Sequence, residues 1–104
     1  AVVKPGRAIG EVDQAARHVI EKAGYGAYFT HRVGHGLGLD IHEDPSVHGL
    51  NTELLTEGMV FTIEPGIYLP GIGGVRLEDN VVVTADGYCA LSDYPKSLAN
   101  AIVK

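Results

Sequence analysis

The sequence THRVGHGLGLDIHEDP, residues 30–45, holds three of the five histidines of the chain among alternating glycines. Glycine at every second position from 34 to 38 opposes a helix, so an extended backbone is predicted here. On a strand His31 and His35 share a face, because they lie four residues apart. His42 follows His35 by seven residues and would point away, unless a bulge or kink within residues 36–40 returns it. The stretch therefore predicts a site on bent, extended backbone.

Two other interpretations of these histidines compete with a site on extended backbone: a helical zinc pair and ordinary surface histidines. His31 and His35 have the i, i+4 spacing of a helical zinc pair, but Arg32 stands where such helices carry a glutamate. A single histidine in a glycine-rich turn is more often a surface or hydrogen-bonded residue. The grouping of three favours a site over that interpretation.

Composition and charge limit the class of protein. The chain has 104 residues and begins with Ala1 rather than methionine, so we expect one domain or part of one. Its net charge is -5 and its eight Lys and Arg residues are scattered, which argues against a nucleic-acid partner. The single cysteine, Cys89, is expected to be a small buried hydrophobe in a reducing, cytoplasmic compartment. Apolar runs such as residues 81–83 are too short to span a bilayer, so a soluble protein without a membrane partner is expected.

An amphipathic helix is predicted over residues 10–23. Val12 and Val19 belong to its apolar stripe, while Asp13 lies on the polar side. Gly24 follows the last periodic residue, as is typical of a helix end. Such a helix is expected to cover a sheet with its apolar side.

Apolar runs bounded by glycine and proline predict a series of strands. The predicted strands and extended segments cover residues 28–30, 59–63, 67–69, 75–84 and 88–91. Residues 44–51 are predicted to be a loop, hairpin turns are expected at 70–74 and 85–87, and 92–96 are expected to form a terminal strand or arm. One helix followed by sequential strands indicates an α+β fold with an antiparallel sheet covered by the helix.

Two carboxylates stand out against this framework. Glu64 ends the apolar run 59–63, where an unpaired carboxylate would be costly to desolvate, so a cation is expected beside it. Strand alternation places Arg76 and Glu78 on one face of the next strand. An ion pair between Arg76 and Glu78 on a solvated face is the alternative interpretation of those two residues.

These side chains would form a metal site if they faced one cleft. One or two imidazoles from His31 and His35, together with Glu64 and Glu78, suit Mn²⁺, Co²⁺, Zn²⁺ or Fe²⁺. Carboxylates can also bridge two ions, as in two-metal hydrolases. The sequence carries no dinucleotide fingerprint, no P-loop and no marked serine or cysteine nucleophile.

Three blocks of sequence, residues 34–43, 58–68 and 74–80, resemble those of the pita-bread metallopeptidases. Within that family they are most similar to the Xaa-Pro peptidases, prolidase and aminopeptidase P. The resemblance covers residues 31–80. It implies that residues 1–104 are a partial pita-bread catalytic domain, its C-terminal half, with the upstream half absent.

The resemblance also implies a site for two divalent ions, which would be Mn, Co or Zn. His35 and Glu64 would ligate one ion, and Glu78 would bridge both. Two aspartate ligands and a further catalytic histidine of the family belong to a segment upstream of residue 1. The chain alone is therefore expected to be inactive.

The catalytic roles that the resemblance implies fall on four residues. His42 would steady the substrate carbonyl and the tetrahedral intermediate, Glu64 would shuttle protons for an attacking water, and His31 and Arg76 would line the pocket for the proline side. The implied substrate is a small peptide with proline at the second position, and the complete enzyme is expected to be a homodimer.

Two alternative functions remain open at this point. Methionine aminopeptidase shares the fold and ligands, although Leu39-Asp40 and residues 67–70 are more similar to the proline-specific branch. A non-catalytic peptide-binding module of the same fold is the other alternative. The presence of His35, Glu64 and Glu78 argues against it.

Overall fold

A computed structural model describes residues 2–93 and 95–97, in which one helix packs on antiparallel strands. The chain forms the helix α1 (Ile9–Lys22), a 3₁₀ turn (Gly26–Tyr28), and seven strands: β1 (Gly34–Gly36), β2 (Glu43–Val47), β3 (Val60–Ile63), β4 (Gly66–Leu69), β5 (Gly73–Arg76), β6 (Asp79–Val83) and β7 (Tyr88–Ala90). The predicted α+β class is confirmed. No helix among the described residues is both long enough and apolar enough to cross a membrane.

The strands form two sheets. The larger sheet has the order β2-β1-β3-β6-β7, and β4 pairs with β5 in a separate hairpin; every pair is antiparallel. The strand β1 passes very close to β3, since a Cβ atom at Gly34 would lie 1.7 Å from the carbonyl oxygen of Thr62. Only glycine permits this approach, which brings the histidine stretch against the end of β3.

A bend at residues 38–42 follows β1 and fits the kink predicted within residues 36–40, whereas the irregular pairing of β1 with β2 has its two extra residues, Asp44 and Pro45, on β2. His35 lies opposite Ser46, but Gly36 lies opposite Glu43, so the register shifts between His35 and Gly36. The loop predicted over residues 44–51 is wrong at its start, because Asp44 and Pro45 belong to β2. As an edge strand, β2 tolerates a proline that cannot donate to a ladder.

The helix begins one residue before its predicted start, and its buried side differs from the predicted stripe. A core of ten residues joins it to the larger sheet: Val3, Ile9, Val12, Phe29, Val33, Val47, Leu55, Phe61, Val81 and Val83. Val19 is 68% exposed, and Asp13 is buried, so both were misassigned. The buried stripe follows Ile9, Val12 and Asp13, which the helical repeat places on one side.

The predicted long strand 75–84 is wrong, because it is two strands in different sheets. The corner between β3 and β4 is matched by a corner at residues 77–78, where the Leu77 N–H donates to the Pro65 carbonyl at 3.2 Å. The pair β3 and β6 ends at these two corners, where the pair β4 and β5 begins. Residues 75–84 therefore cannot form one continuous strand. The hairpins expected around 70–74 and 85–87 are confirmed.

Three smaller expectations also differ from the structure. The segment 28–30 begins with the end of the 3₁₀ turn rather than with a strand. Cys89 is exposed rather than buried, because β7 is an edge strand with exposed side chains. Residues 92, 93, 95 and 96 form no strand, so of the predicted terminal strand or arm only the arm agrees with the structure, and Tyr94 lies outside the described residues.

Candidate active site

A cleft of about 190 Å³ opens where the bend of β1 meets the end of β3. It is lined by His31, Arg32, Gly34, His35, His42, Glu64 and Arg76. Five of the six predicted site residues therefore come together. The volume is below the ~300 Å³ at the lower end of ordinary ligand pockets, so the cleft accepts only part of a ligand.

His35 lies on β1 at the floor of this cleft and is 8% exposed. Its backbone N–H donates to Thr62 Oγ1 at 3.1 Å, and its ring Nδ1 lies 2.9 Å from the Gly36 carbonyl oxygen. Because a carbonyl oxygen only accepts, Nδ1 carries the ring proton in this contact. Nε2 is thus the ring atom turned to the cleft, and this is the arrangement that orients an imidazole toward a metal ion.

Glu64 follows β3 and presents its carboxylate to His35. Glu64 Oε2 lies 3.3 Å from His35 Nε2, and Glu64 Oε1 lies 3.8 Å from Arg76 NH1. The predicted cation beside Glu64 is confirmed as Arg76. At 3.8 Å the contact with Arg76 is too long for a hydrogen bond, so the carboxylate keeps unused acceptor capacity although its side chain is only 14% exposed.

The chain bends over residues 38–42 between β1 and β2, and His42 lines the cleft, in agreement with the kink predicted within residues 36–40. The ring centroids of His35 and His42 lie 4.3 Å apart, with the planes tilted by 54°. His42 is exposed, in contrast to His35 beneath it. An exposed imidazole next to a buried one suits a group that meets the substrate.

His31 is held at both ring nitrogens. Nδ1 lies 2.7 Å from the Arg32 carbonyl oxygen, and Nε2 lies 3.0 Å from the Tyr68 hydroxyl. The sequence analysis missed Tyr68 as a contact of the site. Tyr68 lies on β4, beyond the corner that follows Glu64, so strand alternation gave no signal that relates the two residues.

Glu78 is the predicted site residue that does not line the cleft. It is exposed and lies in the connection between β5 and β6. Among residues 2–93 and 95–97, no three His, Cys, Asp or Glu side chains are close enough to hold a metal ion. His35 and Glu64 are a nitrogen and oxygen donor pair of the kind that Mn²⁺, Co²⁺ and Zn²⁺ accept. The role of Glu78 as a ligand stays a prediction.

Residues 1–85 match the model of metallopeptidase family M24. The Bacillus subtilis protein YkvY, provisionally named a dipeptidase, is 64% identical over 95 residues, which are 91% of this chain and 26% of YkvY. The solved prolidase from Pyrococcus furiosus has a TM-score of 0.89 at 48% identity, and 91% of this chain matches 28% of it. The solved Xaa-Pro dipeptidase from Bacillus anthracis has a TM-score of 0.89 at 47% identity, and 92% of this chain matches 27% of it. The chain thus spans about a quarter of the length of these proteins.

Proposed function

The chain belongs to metallopeptidase family M24, and from that premise we propose that it forms part of the active site of a metal-dependent exopeptidase that cleaves Xaa-Pro bonds. The observation that carries the proposal is the pairing of His35 Nε2 with Glu64 Oε2 at 3.3 Å inside the cleft. The names of the prolidase and the Xaa-Pro dipeptidase support the substrate class.

We assign His35 and Glu64 to one divalent ion and Glu78 to a bridge between two ions. Further ligands are expected from outside the described residues, because within them no three His, Cys, Asp or Glu side chains converge closely enough to hold an ion. When bound, Mn²⁺, Co²⁺ or Zn²⁺ would supply a Lewis acid and lower the pKa of water.

The side chains of the cleft have separate roles in this proposal. Glu64 takes the proton of the attacking water and passes it to the leaving nitrogen, for which its free acceptor capacity is suited. His42 donates a hydrogen bond to the oxygen that gains charge at the scissile carbonyl. His31 and Arg76 line the part of the cleft that receives the proline side of the substrate.

A second function is favoured by one observation, the absence of three converging metal ligands among the described residues. In that case the chain would belong to a module that binds peptides without cleaving them. The cleft would then use His35 and Glu64 as an ion pair rather than as ligands. The two functions predict different metal contents for the purified protein.

The test uses the protein at its full natural length, incubated with Mn²⁺, Co²⁺ or Zn²⁺ and assayed on Xaa-Pro dipeptides, longer Xaa-Pro peptides and a methionyl peptide. Cleavage of the Xaa-Pro bond is expected. Elemental analysis of Glu78→Gln is expected to show less metal together with less activity, whereas Glu57→Gln, at an exposed turn, should match the wild type. Two retained metal equivalents with near-normal activity would refute the bridging role, and peptide binding without cleavage would favour the binding module.

The 104-residue chain by itself is expected not to hydrolyse Xaa-Pro peptides. With only part of the ligand set, the chain would not orient the attacking water, even with one ion held by His35 and Glu64. Robust turnover by the isolated chain with added metal would show that its ligand set is complete and would refute this assignment.

The proposal extends to a homodimer and to a cytoplasmic location. Sedimentation of the protein at its full natural length tests the first, and fractionation of its host cells tests the second. A monomer at working concentration would remove the dimer from the proposal, and secretion would remove the location.

A further inference from the structure

The segment 29–33 carries His31 and leads from the 3₁₀ turn to β1 without regular structure. Its backbone polar groups are held by two side chains of α1. Arg17 NH1 donates to the Phe29 carbonyl at 2.8 Å, and Arg17 NH2 donates to the His31 carbonyl at 2.8 Å. Asp13 Oδ2 accepts the Val33 N–H at 2.9 Å. The helix thus fixes both ends and the middle of the segment.

The two side chains also hold each other. Arg17 Nε lies 3.0 Å from Asp13 Oδ1, and Arg17 NH2 lies 3.3 Å from Asp13 Oδ2. The side chain of Asp13 is 2% exposed. The Arg17 guanidinium lies 4.0 Å from the centroid of the Phe29 ring, which itself packs edge-on against the His31 ring. The planar guanidinium of Arg17 thus binds one carboxylate and two carbonyl groups at once. Arginine can do this with its five fixed N–H donors, whereas lysine cannot.

A second ion pair, at the start of the same helix, makes no hydrogen bond to the segment 29–33 within the described part of the chain and serves as a comparison. Arg7 and Glu11 have the same i, i+4 spacing, but their side chains are 41% and 35% exposed. Glu11 additionally accepts the Ala8 N–H at 2.8 Å, which lies at the start of the helix. The contacts of this pair are local, whereas those of Arg17 reach residues 12 and 14 positions away.

We propose that Arg17, held by Asp13, is a positioning residue that sets the place of His31 in the cleft. The backbone carbonyl of His31 accepts a hydrogen bond from Arg17, and the His31 ring packs against the rings of Phe29 and Tyr68. The effect of Arg17 on substrate binding rests on the proposed function. The effect of Arg17 on the His31 ring is independent of that function.

The kinetic test is a double-mutant cycle in the protein at its full natural length. Arg17→Met keeps an apolar stem on Phe29 but removes the fork, and it is expected to raise KM for Xaa-Pro peptides and lower kcat/KM by about tenfold or more. In the His31→Ala background the same change is expected to cost no more than about twofold, because the interaction it supports is already lost. Arg7→Met, the matched control, should leave kcat/KM unchanged in both backgrounds. Equal losses from Arg17→Met in both backgrounds would overturn the proposal.

The second readout does not depend on catalysis. Nitrogen chemical shifts of the His31 ring should show a single tautomer with the proton on Nδ1 in the wild type and in Arg7→Met, since Nδ1 faces the Arg32 carbonyl. Arg17→Met should shift the ring toward a mixture of tautomers, and an unchanged His31 spectrum would overturn the proposal. If Arg17→Met fails to fold, Arg17→Lys keeps the charge beside Asp13 and is judged by the same spectrum. A wild type that cleaves no Xaa-Pro peptide would refute the proposed function and leave this measurement decisive for Arg17.

Discussion

The carboxylates of Asp13 and Glu64 are both largely shielded from water, but they differ in the number and length of their contacts. Asp13 meets Arg17 at 3.0 and 3.3 Å and the Val33 N–H at 2.9 Å. Glu64 meets His35 at 3.3 Å and Arg76 at 3.8 Å. The two regions adjoin, because the Val33 carbonyl accepts the Glu64 N–H at 2.6 Å. One carboxylate therefore accepts three hydrogen bonds, and its neighbour has only longer contacts.

The difference separates a structural charge from a chemical one. Burial of a carboxylate is unfavourable unless hydrogen bonds and opposite charge offset the lost hydration. At Asp13 three hydrogen bonds, two of them from a guanidinium, provide this compensation, and the group holds the segment 29–33. At Glu64 the contacts are long, and acceptor capacity remains in a cleft lined by histidines. Converting each carboxylate to its amide tests the contrast with the same chemical change.

The largest expected effect is that of Glu64→Gln on activity. Loss of a proton shuttle and metal ligand should lower kcat/KM by about three decades, or about 4 kcal/mol of transition-state stabilisation. The free energy of unfolding without metal should not fall, because few short bonds are lost. Steady-state kinetics and urea denaturation of the metal-free protein measure the two quantities. A large loss of stability would show that Glu64 is structural, as Asp13 is.

Asp13→Asn should behave in the opposite way. The amide leaves the Arg17 guanidinium without its charge partner, and we expect the free energy of unfolding to fall by about 3 kcal/mol. The midpoint of urea unfolding should shift while its slope stays constant. A loss below about 1 kcal/mol, the range of exposed ion pairs, would remove the distinction between the two carboxylates.

His42→Ala tests whether the second histidine of the cleft binds metal or only contacts the substrate. Its ring lies tilted beside that of His35 and is exposed, so metal content should be retained while turnover falls by about two decades or more, as for a lost transition-state donor. Metal analysis and turnover on a Xaa-Pro peptide separate the roles. Metal loss would make His42 a ligand, and unchanged turnover would make it an ordinary loop histidine.

The smallest expected effect belongs to Glu11, an exposed carboxylate that serves as a reference for both. Hydrogen bonds from Arg7 and then from the Ala8 N–H lower the pKa of Glu11. A lowered folded-state pKa contributes stability that is present above the unfolded pKa and is lost as the pH falls through the folded pKa. Glu11→Gln should therefore unfold at a slightly lower temperature than the wild type at neutral pH, and the two curves should converge in acid. A gap that widens in acid would contradict this sign.

Much of the candidate site could be predicted from residue spacing. The glycines around His35, the position of Glu64 at the end of an apolar strand, and the need for a bulge or kink before His42 are local facts. The structure confirms them, the last as a bend at residues 38–42. Helix 9–22 and the two hairpins followed equally from repeat period and turn residues. These features depend on neighbours along the chain, which the sequence displays directly.

Burial and long-range pairing were decided only by the tertiary structure. Asp13 and Arg17 lie on the helical stripe of Ile9 and Val12, but a charged pair with this spacing is usually a solvated one. Whether it is buried depends on the segment 29–33, which lies opposite the helix and needs partners for its backbone groups. The division of residues 75–84 between two sheets, the exposure of Cys89 and the position of Glu78 outside the lining of the cleft have the same cause. Each depends on which strands become neighbours and which become edges, and those are contacts between parts of the chain far apart in sequence.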